Sequence, residues 1–457
     1  MPYLTLQKLR LRDYRCFESI EIELHSQLTV LVAANGAGKT SILDAIAVAL
    51  GPYIGAFGEA VGKHFEPSDI RLTKIRQTAT NEMEYAPKGV SLEAVGIIPG
   101  SLSDSPSDNH APSIWRRTLT SPTKAKTTIK GAKELIDYGK RMQEAVRTPG
   151  SDVLLPLIAY YGTGRLWQQK KLMANKKLER TSRTIGYADC LDPASSYKTF
   201  VAWFRYWNLN AKELQLKEQA NSAAYVEFSG YITSVKSAVD TCLRPAGWKG
   251  LEYSFKRDTL VAHHDQHGEL PVELLSDGIR NMIGMVADIA FRATKLNGQL
   301  GAQAATQTPG IVLIDEVDMH LHPEWQQIVL QSLTQAFPAL QFIVTTHSPQ
   351  VLTTVPRENI RLIECDESGC RACMPDFSPL AHESGDALAK VMGTHREPPL
   401  PLQESIRQFE QLVRAGREAS SEAQRLRGEL DEAGYQLHES DLTTWRFLAA
   451  RNADKGS

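Results

Sequence analysis

The segment Ala33-Ala34-Asn35-Gly36-Ala37-Gly38-Lys39-Thr40 constrains this chain more than any other. It follows a short apolar run, Leu28 to Val32, and opens an apolar stretch from Thr40 to Leu50, which predicts strand, tight turn and helix in that order. A turn of this kind converges backbone N–H groups and a helix N-terminus on one point, as a phosphate chain demands. Gly36 and Gly38 let the backbone come close to the anion, and Ala34, Asn35 and Ala37 complete the cradle. Lys39 is placed to neutralise the β- and γ-phosphates and Thr40 to ligate Mg²⁺, with Ser41 beside them. Ala33 stands where the usual pattern has its first glycine, a change a negative φ tolerates.

Gly310 to Ile314 is a second apolar strand, and it ends in two carboxylates, Asp315 and Glu316. Strands of a parallel sheet deliver ligand-binding groups at their C-terminal ends, where the phosphate loop also lies. Asp315 is expected to hold Mg²⁺ through water and Glu316 to act as general base on the attacking water. Asp318 follows at a spacing suited to a contact across subunits. Phe342-Ile343-Val344-Thr345-Thr346-His347-Ser348-Pro349 is a third strand end, with His347 expected to hydrogen-bond the γ-phosphate. His320 and His322 precede the helix-starting Pro323 and read as structural rather than as metal ligands. Leu275-Ser276-Asp277-Gly278-Ile279-Arg280 leads a helix; read alone, its serine is an N-cap.

In that order these elements resemble the ABC-type ATPases of the SMC, Rad50 and RecF branch. The resemblance implies an α/β fold: an ABC-type P-loop ATPase head with an antiparallel β subdomain, an inserted helical arm and a C-terminal helical tail. It implies ATP and Mg²⁺ as cofactors, and head-to-tail dimers or higher homo-oligomers. In these, Ser276 and Gly278 of one copy cap the ATP held by another's phosphate loop. Arg15, in Tyr14-Arg15-Cys16-Phe17, matches an arginine that family places near the nucleotide, and Gln168 and Gln169 are candidates by position for a Mg²⁺-reporting glutamine.

The interval from Lys39 to Ser276 is too short for a long coiled coil. Tyr160 to Trp167, Asp315 to Gln326 and Val391-Met392-Gly393 are similar to the compact PtuA-like ATPases of Septu and retron-linked anti-phage systems. That narrower resemblance implies an ATP-hydrolysing sensor or regulatory subunit working with a separate HNH nuclease. The alternative is a RecF-like DNA-repair ATPase that binds DNA without a nuclease partner. Past His347 no Asp-x-Asp strand end appears, so no nuclease centre of the chain's own is recognised.

The expected division is an ATPase lobe with β subdomain over 1–164 and an inserted helical arm over 165–248. A second ATPase lobe follows over 249–397, then a helical partner-docking segment over 398–457. A net charge of -2 and a pI near 6.7 demand that any nucleic-acid contact come from a local patch. Lys170, Lys171, Lys176, Lys177, Arg180 and Arg183 form the strongest basic cluster. In the tail, Ile406, Phe409, Leu412 and Val413 make one apolar stripe, and Leu442, Trp445 and Leu448 another. No run of about eighteen uncharged apolar residues occurs, and the first residues lack a secretory centre. The sequence therefore reads as cytoplasmic, without membrane contact and with its six cysteines reduced. Cys365, Cys370 and Cys373 lack an obvious fourth zinc ligand.

Overall fold

The computed structural model describes every residue except 1–2, 59, 75–82, 100–111, 124–125, 166–181, 194–196, 218, 220, 367–368, 396–399, 436–438 and 455–457. Two compact units result, residues 1–392 and residues 393–457. The strands are β1 (Thr5–Tyr14), β2 (Phe17–Glu23), β3 (Leu28–Ala33), β4 (Leu72–Lys74), β5 (Met83–Tyr85), β6 (Val90–Ile97), β7 (Ser113–Leu119), β8 (Leu157–Tyr161), β9 (Trp248–Ser254), β10 (Thr259–His264), β11 (Gly268–Pro271), β12 (Gly310–Ile314), β13 (Leu340–Thr345), β14 (Ile360–Asp366) and β15 (Gly369–Cys373). The helices are α1 (Lys39–Ile54), α2 (Lys133–Arg147), α3 (Tyr197–Leu216), α4 (Ala223–Leu243), α5 (Asp277–Leu296), α6 (Ala304–Gln307), α7 (Pro323–Gln326), α8 (Val329–Ala336), α9 (Pro349–Leu352), α10 (Ser384–Lys390), α11 (Leu402–Arg414), α12 (Ser421–Glu432) and α13 (Glu439–Asp454).

The central sheet has the order β15-β14-β3-β13-β12-β8 and is parallel except for β15. Its strands β8, β12 and β13 are buried at every residue, which is why they read as unbroken apolar runs rather than alternating ones. Helix α1 is apolar on nearly all sides and is buried accordingly. Strand β13 lies between β3, which leads into the phosphate loop, and β12, which ends at Asp315. That order decides the geometry of the site.

A second, antiparallel sheet runs β2-β1-β6-β7. Its strand β6 alternates buried and half-buried residues, the mark of one covered face. Gln341 of β13 ties the two sheets together. It accepts from Leu6 N at 3.0 Å and donates to the carbonyls of Leu6 at 2.6 Å and His25 at 2.9 Å. Strand β7 forms the edge of this sheet beside β6. Its inward residues include Arg117, a charge that masks the alternation. This buried guanidinium donates to Val48 O, Thr128 O and His64 Nδ1, all at 2.9 Å.

Within 165–248 the described helices α3 and α4 pack against α5, with Trp207 and Phe291 rings 5.7 Å apart. Buried Asp288 and Arg292 register α5 on its neighbours. Tyr161 at the end of β8 donates to Asp288 Oδ2 at 2.7 Å, and Arg292 Nε reaches the same oxygen at 2.8 Å. Arg292 also donates to the carbonyls of Gly186 at 2.8 Å and Ala188 at 3.0 Å.

Two readings need correction. Arg183, assigned to a basic cluster, donates instead to the carbonyls of Leu296 at 2.8 Å and Val153 at 2.7 Å; the other members of that cluster lie outside the described residues. The thiols are not all reduced: Cys365 and Cys370 form a disulfide, because the β14–β15 hairpin register sets them directly opposite. Most residues of the tail's apolar stripes pack within the second unit. Phe409, Leu412 and Val413 of α11 bury with Leu426 and Leu430 of α12 and Leu442 of α13, while Ile406 and Trp445 pack alongside. Among the described residues no helix is long and apolar enough to cross a membrane.

Removing one partner of the Asp288–Arg292 pair strands a buried charge. Arg292→Met is expected to destabilise the first unit by about 3–5 kcal/mol, read as a lowered urea midpoint. An unchanged midpoint would show the pair to be dispensable.

Candidate active site

The phosphate loop closes as a turn, with Ala37 N donating to Ala34 O at 3.2 Å, and Gly38 begins α1 at φ 89°. Gly36, at φ 79°, has open space where a side chain would project. Gly38 does not: a Cβ there would meet the Phe17 ring and lie 2.7 Å from Cys16 Sγ. Both glycines take left-handed backbone, the conformation that L side chains resist. Lys39 is buried and folds back, donating to the carbonyls of Ala33 at 2.9 Å and Ala34 at 3.4 Å. Burial pushes its pKa below the ordinary lysine value, opposed by the charges of Asp315, Glu316 and Asp318. Those three carboxylates therefore share one electrostatic field with the loop.

Asp315 is 2 % exposed and is held from two sides. Thr40 Oγ1 donates to its Oδ2 at 2.7 Å, and Thr345 Oγ1 donates to its Oδ1 at 2.6 Å. Glu316 takes a left-handed turn at φ 48°, and its N–H donates to Thr345 Oγ1 at 2.8 Å. Val317 N then donates to Thr345 O at 3.0 Å. Asp318 Oδ1 accepts from Thr346 Oγ1 at 2.5 Å, and Thr346 Oγ1 in turn accepts from Ser348 N at 2.9 Å. His347 is half-buried between these two hydrogen-bonded residues.

Arg15 joins the phosphate-loop helix by side-chain contacts. It donates to Asp69 Oδ1 at 2.8 Å, Asp44 Oδ2 at 2.8 Å and Ser41 Oγ at 3.3 Å. Burial opposes its charge, yet Tyr14, Asp44 and Asp69 outweigh it and raise its pKa above the ordinary value.

Ser276 and Gly278 stand at the start of α5. Ser276 is exposed and its hydroxyl makes no capping bond to its own helix. Leu274 beside it is 72 % exposed. Gly278 is buried against the turn after β12, where a Cβ would strike His320 O. His322 accepts from Glu324 N at 3.4 Å and caps α7. Gln168 and Gln169 lie outside the described residues.

These groups suit a nucleoside triphosphate with a divalent cation. A lysine ammonium turned onto neutral carbonyls has an anion's place to take. The Thr40 hydroxyl and Asp315 carboxylate, already in contact, are the hard oxygen donors that Mg²⁺ prefers.

Two family models together span these residues. Residues 8–224 match the family described as "AAA domain". Residues 208–353 match the family described as "AAA domain, putative AbiEii toxin, Type IV TA system". The retron Vc95 probable ATPase of Vibrio cholerae serotype O1 biovar El Tor is 25 % identical across 91 % of this chain and 84 % of its own length. The chain is an ATPase homologous to the retron ATPases and to Septu PtuA. The PtuA of Bacillus thuringiensis is 33 % identical over 119 residues, 25 % of this ATPase and 29 % of its own length. Among solved structures, the SMC head bound to the C-winged helix domain of ScpA is similar at 16 % identity and a TM-score of 0.46, covering 81 % of this ATPase and 98 % of that chain.

Sequence reasoning missed the partners that hold these residues: Thr345, Thr346, Asp44 and Asp69. The Thr-Thr pair was visible at a strand end, but nothing local says which strand would lie beside it. Gly38→Ala combines a collision with left-handed strain of about 1–3 kcal/mol. It is expected to weaken ATP binding of this ATPase by at least roughly tenfold, measured by calorimetry; wild-type affinity would show that the loop does not need that turn.

Proposed function

We propose that this ATPase is the nucleotide-binding and hydrolysing sensor or regulatory subunit of a bacterial anti-phage defence complex that controls a partner HNH nuclease. The Asp315 carboxylate, poised between the hydroxyls of Thr40 and Thr345 with Glu316 next to it, carries the hydrolytic part of that reading. Likeness to a retron ATPase and to Septu PtuA supports the biological part.

In this reading the N–H groups of residues 34–41 and the Lys39 ammonium bind the phosphates, and Thr40 with Asp315 hold Mg²⁺. A cation held there would supply neutralisation of phosphate charge. Glu316 accepts the proton of the attacking water, and His347 donates a hydrogen bond toward the γ-phosphate. Arg15, braced by Asp44 and Asp69, steadies the start of α1.

Two copies join head to tail, so that the exposed Ser276 hydroxyl and the Gly278 N–H at the start of α5 meet the other copy's phosphate. Asp318 lies at the same boundary. The uncapped hydroxyl and the exposed Leu274 support an outward-facing role for that turn. The segment over 398–457 docks the nuclease by its outer surface, where Phe447 is 66 % exposed, since most of its apolar stripes are occupied internally.

Glu316→Gln is expected to slow turnover by roughly 10²–10⁴-fold while retaining ATP in a dimer seen by light scattering. Adding Ser276→Arg should return that dimer to monomer. Lys39→Ala should abolish nucleotide binding by calorimetry. Wild-type turnover in Glu316→Gln would remove Glu316 from its role, and an ATP dimer that survives Ser276→Arg would move the interface elsewhere. Co-purification of an HNH nuclease that persists after removal of residues 402–457 would overturn the docking assignment.

A further inference from the structure

Thr345 has one hydroxyl proton, and the geometry shows where it goes. The proton is donated to Asp315 Oδ1 at 2.6 Å, so the same oxygen meets Glu316 N at 2.8 Å only as an acceptor. The Thr345 carbonyl adds a third bond, from Val317 N at 3.0 Å. One residue thus holds three consecutive residues of the turn after β12. It is fully buried.

The need for such a clamp comes from the backbone. Glu316 sits at φ 48°, a left-handed conformation that costs a non-glycine residue free energy and persists only where the surroundings impose it. Without that turn the chain leaving β12 would carry the Glu316 side chain in another direction. Strand order makes the clamp available. β13 runs parallel between β3 and β12, pairing Val344 with Ile314 and Thr345 with Leu31. The next step along β13 therefore brings Thr345 beside Asp315, on the side of the phosphate loop.

We propose that Thr345 is a positioning residue for ATP hydrolysis, fixing Glu316 in its left-handed turn and orienting the Asp315 carboxylate with a single bridging hydroxyl. The inference rests on the roles given above to Asp315 and Glu316. Thr345 acts through those two carboxylates.

The test compares Thr345→Val, which keeps the shape and removes the hydroxyl, with Thr345→Ser, which keeps the hydroxyl. Thr345→Val is expected to lower kcat by roughly 10–100-fold and to raise the Mg²⁺ concentration for half-maximal turnover. Its affinity for ATP measured without Mg²⁺ should stay within about twofold of wild type, because the phosphate loop is untouched. Thr345→Ser should restore kcat to within about threefold of wild type. Combined with Glu316→Gln, Thr345→Val should slow turnover by less than the product of the two single effects, since the two changes share the route through Glu316. Unchanged kcat and Mg²⁺ dependence in Thr345→Val would overturn the proposal, as would a loss that serine fails to rescue. If Glu316→Gln itself keeps wild-type turnover, the general-base reading fails instead. If Glu316→Gln is slow and Thr345→Val is not, only the positioning role fails.

Discussion

A carboxylate that is almost completely buried must be compensated by its neighbours, and Asp315 receives that compensation from two different elements. Thr40 reaches it from the first turn of α1 and Thr345 from the end of β13, while Lys39 shares its electrostatic field. A buried acceptor deprived of its donors would cost about 1–3 kcal/mol, so each hydroxyl is held as firmly as it holds. Helix α1 and strands β12 and β13 are pinned together at the point proposed to bind phosphate and metal.

From that point the contacts continue outward. Thr345 secures the turn at Glu316, Thr346 holds Asp318, and the His320 carbonyl closes on Gly278 at the start of α5. Phosphate loop, acidic strand end, histidine element and Leu-Ser-Asp-Gly turn form one chain of touching residues within a single copy. Each link is a hydrogen bond or a backbone contact with little room to slide. A change at the phosphates has a short mechanical route to the turn proposed to face the second copy.

Helix α5 is fixed at its far end as well. Asp288 and Arg292 cost desolvation free energy, but their bonds to Tyr161, Gly186 and Ala188 set a register that apolar packing alone would leave free to slip. The turn at Ser276 is therefore aimed by both ends of its helix. The second unit follows a different logic, closing α11, α12 and α13 on one another around a small core of its own.

Much of this was written in local pattern. The strand, glycine turn and helix from Leu28 to Leu50, the apolar strand ending at Asp315 and Glu316, and the strand before His347 were all legible, because burial of whole strands and left-handed turns impose residue types on neighbours in sequence. The partners were not. Asp44 and Asp69 beside Arg15, Thr345 on Asp315, Arg183 on backbone carbonyls and the Cys365–Cys370 bond depend on which strands and helices lie adjacent. Periodicity shows that a tail helix has an apolar face, yet not which face covers it. The sequence by itself determined the chemistry available: a glycine turn with a lysine, two carboxylates, a histidine and a serine at a helix start. Only the tertiary structure decided that β13 lies between β3 and β12, and so that a threonine hydroxyl aims the carboxylates, because strand order is set by long-range packing that no local pattern encodes.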